Sequence, residues 1–166
     1  MTNDNHLLMK EKIDSAIADE KGARAQLWAA IRRRGSFKES SVIASFRNYL
    51  EKEMYKHSHV MCIIAHEIGI DEDVKMFIEN GKYYTPSKYR LAQIYFIKGN
   101  NIEYIKTLSD AANRGHILAK RDILYNALRE NEISRMTFVM ERAKLLISGF
   151  LRSFSSPGHP TTVRDF

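Results

Sequence analysis

His59, Cys62 and His66 recur at i, i+3 and i+7, with Glu67 alongside, which sets three good ligand side chains on one face of a helix. Two imidazoles and a thiolate suit zinc, and a water in the fourth position would make such a site catalytic. The same spacing also strings the donors along the helix axis, turn after turn, which opposes closing a tetrahedron. A cysteine on an apolar helix face packs as a small hydrophobe. Cys62 is therefore expected to pack, with the histidines at the helix margins, and the chain is expected to hold no metal or other cofactor.

"RRRGSF", residues 32–37, places Arg33 and Arg34 ahead of Ser36 in the manner of a basophilic-kinase target. It reads equally as a helix C-terminus, where cations favour the dipole and a glycine stops the helix. Arg32, Arg33 and Arg34 are also the compact basic cluster that could contact phosphates, with Trp28 one turn away. Tyr83 and Tyr84, beside Lys82, fall in an expected loop and are the best candidates for exposed aromatic contacts. The other Tyr and Phe residues fall on apolar stripes that core packing explains. There is no P-loop, dinucleotide fingerprint, nucleophile elbow or HExxH, and "AHEIG" lacks the second histidine of the last. Glu72 and Asp73 sit at a helix start, which accounts for them without chemistry. The expectation is that the protein is not an enzyme.

The elements that must position these residues are constrained by composition. A chain of 166 residues, 44% hydrophobic and 28% charged, is large enough for one domain with a proper core. With Cys62 as the single cysteine, no intrachain disulfide and no Cys-rich zinc module can form. No run approaches the roughly 20 apolar residues needed to span a bilayer, and Leu7-Leu8-Met9 is too short for a signal peptide. The expectation is a soluble, cytoplasmic protein with no membrane association. The formal charge of +6 makes nucleic-acid binding the runner-up function.

Helical spacing runs through the whole chain, and no alternating strand pattern survives. Residues 5–34 read as helix, divided at Gly22. Ser40 or Ser41 caps a helix through 42–58 with Val42, Phe46, Leu50 and Met54 as its stripe. Further helices follow over 59–69, 70–81, 82–100, 101–115, 117–130 and 133–153. Thr85 or a neighbour caps the third of these, with Pro86 in its first turn. Ile102, Ile105 and Leu108 are the apolar residues of the fourth. The fold class is all-α. Residues 1–153 are expected to form one all-helical domain, with N-terminal helices over 5–56 and a repeat-like region over 57–150. Residues 154–166, rich in Pro, Gly and Ser, are expected to be a flexible tail.

Small residues interrupt the apolar pattern in "LSDAANRGHILAK", and their order carries a resemblance. Residues 89–128 resemble the Sel-one-like repeat family, relatives of tetratricopeptide repeats. Ala92 and Tyr95 correspond to the small and aromatic residues of a first helix, and Gly99 to the glycine before the second. Ala111-Ala112, Gly115-His116 and Ala119 correspond to the Ala-Ala, Gly-His and following Ala of the next turn. Gln93-Ile94 stands where the family has Leu-Gly. Weaker echoes occur at Lys21-Gly22 with Ala23 and Ala25, and over 59–81 with Gly69 and Gly81 as stops.

The resemblance implies stacked antiparallel helix pairs in a short solenoid-like array, with an orthogonal helical bundle as the alternative. It further implies a non-enzymatic adaptor or regulator that binds another protein, with Lys88, Gln93, Lys120 and Asp122 on its surface and Tyr83 and Tyr84 at the rim. Physically, small side chains let helices approach closely, and a glycine in the left-handed conformation turns the chain. His116 is expected to pack or cap rather than catalyse.

Overall fold

The computed structural model describes the backbone of residues 3–18, 20–33 and 37–155, and the side chains of 10–18, 20–33 and 37–151. Among the described residues the chain is all-α, with helices α1 (Asn3–Ile17), α2 (Ala23–Arg32), α3 (Glu39–Glu51), α4 (Tyr55–Ile68), α5 (Asp73–Asn80), α6 (Thr85–Ile97), α7 (Asn101–Asn113), α8 (Ile117–Arg129) and α9 (Arg135–Ser155). Residues 1–80 and 81–166 form two compact units. Of the expected tail, Phe154 and Ser155 close α9, and residues 156–166 lie outside the described residues.

In the first unit α4 is the hub, in contact with α1, α2, α3 and α5. Its sequence explains why. "SHVMCIIA", residues 58–65, is buried residue after residue, and a helix that is apolar all round must be covered all round. Phe46 from α3, Leu27 from α2, Ala16 from α1 and Phe77 from α5 complete the core of this unit.

The single helix expected over 42–58 is in fact two. α3 ends at Glu51, and Glu53 takes a left-handed φ of 57°. The Glu53 amide donates to the Leu50 carbonyl at 3.1 Å and the Met54 amide to the Tyr49 carbonyl at 2.9 Å. That pair of bonds is a Schellman closure, which satisfies carbonyls a helix end leaves open. "EKE" carries nothing to bury, so reversing the chain there lets α4 fold back, and His57 comes to lie 5.1 Å from the Tyr49 ring. Neither Ser40 nor Ser41 caps α3. The helix starts at Glu39, with Lys38 at the cap and Glu39 itself in the first turn, where its charge favours the dipole.

The second unit is serial. α6 contacts α7, α7 contacts α8 and α8 contacts α9. Side-chain pairs fix the antiparallel sense: Phe96 meets Tyr104 across α6–α7, Asn126 donates to the Tyr104 hydroxyl across α7–α8, and Tyr125 meets Phe138 across α8–α9. The buried cluster joining the first three helices is Tyr89, Ala92, Leu108, Ala111, Ala112 and Ala119. Four of its six members are alanines, so the helices approach on methyl groups while Tyr104, Leu118 and Ile123 fill the margins. α7 closes on Gly115 at φ 93°, where the His116 amide reaches the Ala111 carbonyl at 3.1 Å. α6 starts at Thr85, with the neighbouring Tyr84 at the cap and Pro86 in the first turn.

Candidate functional site

The His59, Cys62 and His66 face turns inward. His59 and Cys62 are fully buried, and His59 and His66 both meet the edge of Phe77. His66 is half-buried, and its Nδ1 lies 2.6 Å from an Asp73 carboxylate oxygen. Cys62, His66 and Asp73 have the residue types of a nucleophile, base and orienting acid. A reactive cysteine, however, needs access and a stabilised thiolate. Burial pushes the Cys62 thiol well above its ordinary value, which holds it protonated. Among the described residues no three His, Cys, Asp or Glu side chains are arranged to hold a metal ion.

The small-residue turn of the second unit carries a connected polar network. His116 caps α8: its Nδ1 accepts from the Ala119 amide at 3.3 Å, and its ring stacks on Tyr89 with centroids 4.4 Å apart. The Tyr89 hydroxyl donates to Asp122 at 2.7 Å and accepts from Gln93 Nε2 at 3.1 Å. Arg121 clamps the other Asp122 oxygen through Nε and Nη2 at 2.9 and 2.8 Å. Burial, and then the Asp122 carboxylate, push the Tyr89 phenol far above its usual range, so it remains a donor. The network ties α6 to α8 across the alanine contacts. It positions helices.

The residues named for partner binding therefore separate. Lys88 pairs with Asp110 across α6–α7, and Gln93 and Asp122 belong to the Tyr89 network. Lys120 and Tyr84 are half-buried. Tyr83 is 61% exposed, on a loop held where Arg114 Nη1 donates to the carbonyls of Gly81 and Lys82 at 3.2 and 2.9 Å. Arg32 and Arg33 are exposed at the end of α2, whereas Arg34 and Ser36 lie outside the described residues.

A larger exposed surface was missed. At the opposite end of the α6–α7 pair from Tyr83, Phe96, Ile97, Ile102 and Ile105 are 53, 78, 80 and 60% exposed. Phe96 and both isoleucines of α7 are thus not core, contrary to expectation. Their spacing held the signal. A step of three residues on a helix rotates back by about 60°, so Ile102 and Ile105 drift away from the face that buries Leu108. "IYFI", residues 94–97, is four bulky residues in a row, and one helix face cannot take them all. α9 has the same excess, with Met136, Val139 and Met140 exposed beside the buried Phe138.

Exposed apolar patches mark interaction sites or ligand-binding grooves. The turn between α8 and α9 adds an open depression of about 560 Å³ lined by Leu128, Asn131 and Ile133 among others. No helix among the described residues is long and apolar enough to cross a membrane. No family model, curated protein or solved structure matches the chain.

Proposed function

We propose that the protein is a non-enzymatic protein-binding module, an adaptor or regulator acting in the cytoplasm, whose α6–α8 helix pairs are of the Sel-one-like type. The observation that carries the reading is the exposed cluster of Phe96, Ile97, Ile102 and Ile105 at one end of the α6–α7 pair. Four large apolar side chains held on rigid helices offer a preorganised contact with little side-chain entropy to lose. Aromatic and aliphatic anchors of this kind dominate protein interfaces, and charged residues are depleted at their centres. Tyr83 forms a second contact at the other end of the pair.

The test is affinity capture of the native chain beside an Ile97→Glu/Ile102→Glu variant and a Tyr83→Ala/Tyr84→Ala variant. A defined protein retained by the native chain and lost from the first variant supports the reading. Because both isoleucines point to water, the variant should keep its fold, with stability within about 0.5 kcal/mol of the native chain. Recovery of nucleic acid alone, released steeply by salt, would replace this reading with the runner-up in which Arg32, Arg33 and Arg34 contact phosphates.

A further inference from the structure

α9 has two apolar faces, one lying against α8 and the other exposed. Phe138 meets Tyr125 at 5.0 Å, and a Cβ on Gly149 would stand 3.2 Å from Ile117, so this side lies against α8. On the other side Met136, Val139, Met140, Leu146, Ile147 and Phe150 are between 56 and 76% exposed, around the exposed Ala143. Relative to Ala143 they stand at −7, −4, −3, +3, +4 and +7. At about 100° per residue all six fall within roughly 60° of the Ala143 direction. The stripe is symmetric about its smallest residue, with the exposed Leu151 at its margin, about 80° from the Ala143 direction.

We propose that this face is the two-fold interface of a homodimer, in which α9 packs antiparallel on α9 of a second copy and crosses it at Ala143. A two-fold contact requires a surface complementary to itself. Reversal about Ala143 exchanges each position −n with +n, so Met136 meets Phe150, Val139 meets Ile147 and Met140 meets Leu146. Each of these six residues meets another of the six. An alanine at the crossing lets the helix axes approach and lets the flanking ridges interdigitate.

The exposed stripe amounts to roughly 800 Å², about the area each partner contributes to a stable specific interface. The two cations beside Ala143 are engaged in their own chain: Arg142 lies over the Tyr125 ring at 5.5 Å, and Lys144 pairs with Glu141 at 2.6 Å. That arrangement favours a protein surface over an anionic lipid surface, which would draw such cations outward. The surface is separate from the α6–α7 patch, so the two proposals stand or fall independently.

Sedimentation equilibrium of the full chain tests the proposal. The expected species has twice the 19.2 kDa chain mass at micromolar concentration. Met140→Glu/Leu146→Glu brings carboxylates face to face and should weaken the dimer by about 100-fold or more, with an unchanged helical circular dichroism spectrum. Ala143→Cys should give a disulfide-linked dimer on mild oxidation, since the native Cys62 is buried, whereas Thr137→Cys, off the stripe, should not. A native chain that stays monomeric at about 100 µM overturns the proposal, whether or not it binds anionic vesicles. So does a dimer indifferent to the paired glutamates. A dimer in which Ala143→Cys fails to cross-link overturns the antiparallel crossing.

Discussion

The two units bury their helices in different ways. In the first, α4 is wrapped by four partners, and its apolar residues are large and covered on every side. In the second, each helix from α6 to α9 packs on its neighbours in sequence, and the buried contacts of α6–α8 are mostly alanine. A wrapped hub consumes its apolar surface. A serial array does not, because each helix packs on its neighbours in sequence and keeps an exposed face. The exposed Phe96, Ile97, Ile102 and Ile105, and the outer stripe of α9, are what such an array leaves over. The difference teaches where to look for binding: in the unit whose helices are only partly covered.

If this contrast is right, the units respond oppositely to changes in side-chain size. Phe77→Ala empties the space beside His59 and His66 in the hub and should cost about 3–5 kcal/mol in urea denaturation. A loss under 1 kcal/mol would mean the hub is loosely packed. In the array the damaging change is an addition. Ala111→Leu and Ala119→Leu, at fully buried positions, should each cost about 1–3 kcal/mol by forcing helices apart. Tolerance of both would remove the close approach on which the array rests.

The chain reversals sharpen the comparison with a smaller effect. Gly115, at φ 93°, should lose about 1 kcal/mol on change to alanine. Glu53 holds the equivalent left-handed position with a side chain, so Glu53→Gly should gain up to about 1 kcal/mol. Paired thermal melts would measure both, and a loss in the second would contradict the closure.

The smallest effect concerns charge. Lys88 beside Asp110, through a hydrogen bond, holds that carboxyl below the ordinary carboxylate value, with Arg114 assisting. A folded pKa below the unfolded one gives stability that is present above the unfolded value and lost as pH falls through the folded value. Lys88→Met should therefore flatten the loss of stability below about pH 5 while leaving neutral-pH stability little changed, because half-exposed pairs contribute little. An unaltered acid profile would show that the pair does not couple α6 to α7.

Helix content was legible because apolar spacing repeats locally. Gly69, Gly99 and Gly115 marked real ends, since few other residues accept left-handed backbone. The reversal at Glu53 was illegible because its signal is only a short polar run inside a continuing helical pattern, and its αL residue is not glycine. The alanines around Gly115 showed their role in the sequence, as did His116, whose capping and stacking need only its position after the turn. Lys88, Gln93 and Asp122 looked like free surface residues. Their partners lie on α7, on α8 and within α6 itself, and nothing in the sequence states that Tyr89 would face Asp122. The exposed apolar residues were misread because periodicity says a helix has an apolar face, not which face finds a neighbour.

The central claim is that the leftover apolar surface of the array, and not the His59/Cys62/His66 face of the hub, carries the function. It is tested most directly by titrating the captured partner against the native chain, Ile97→Glu/Ile102→Glu and His66→Ala. The account predicts that the isoleucine variant binds at least about tenfold more weakly, one interfacial anchor being worth over 1 kcal/mol, while His66→Ala binds as the native chain does. Equal binding by the isoleucine variant, or loss of binding only in a folded His66→Ala, would contradict it.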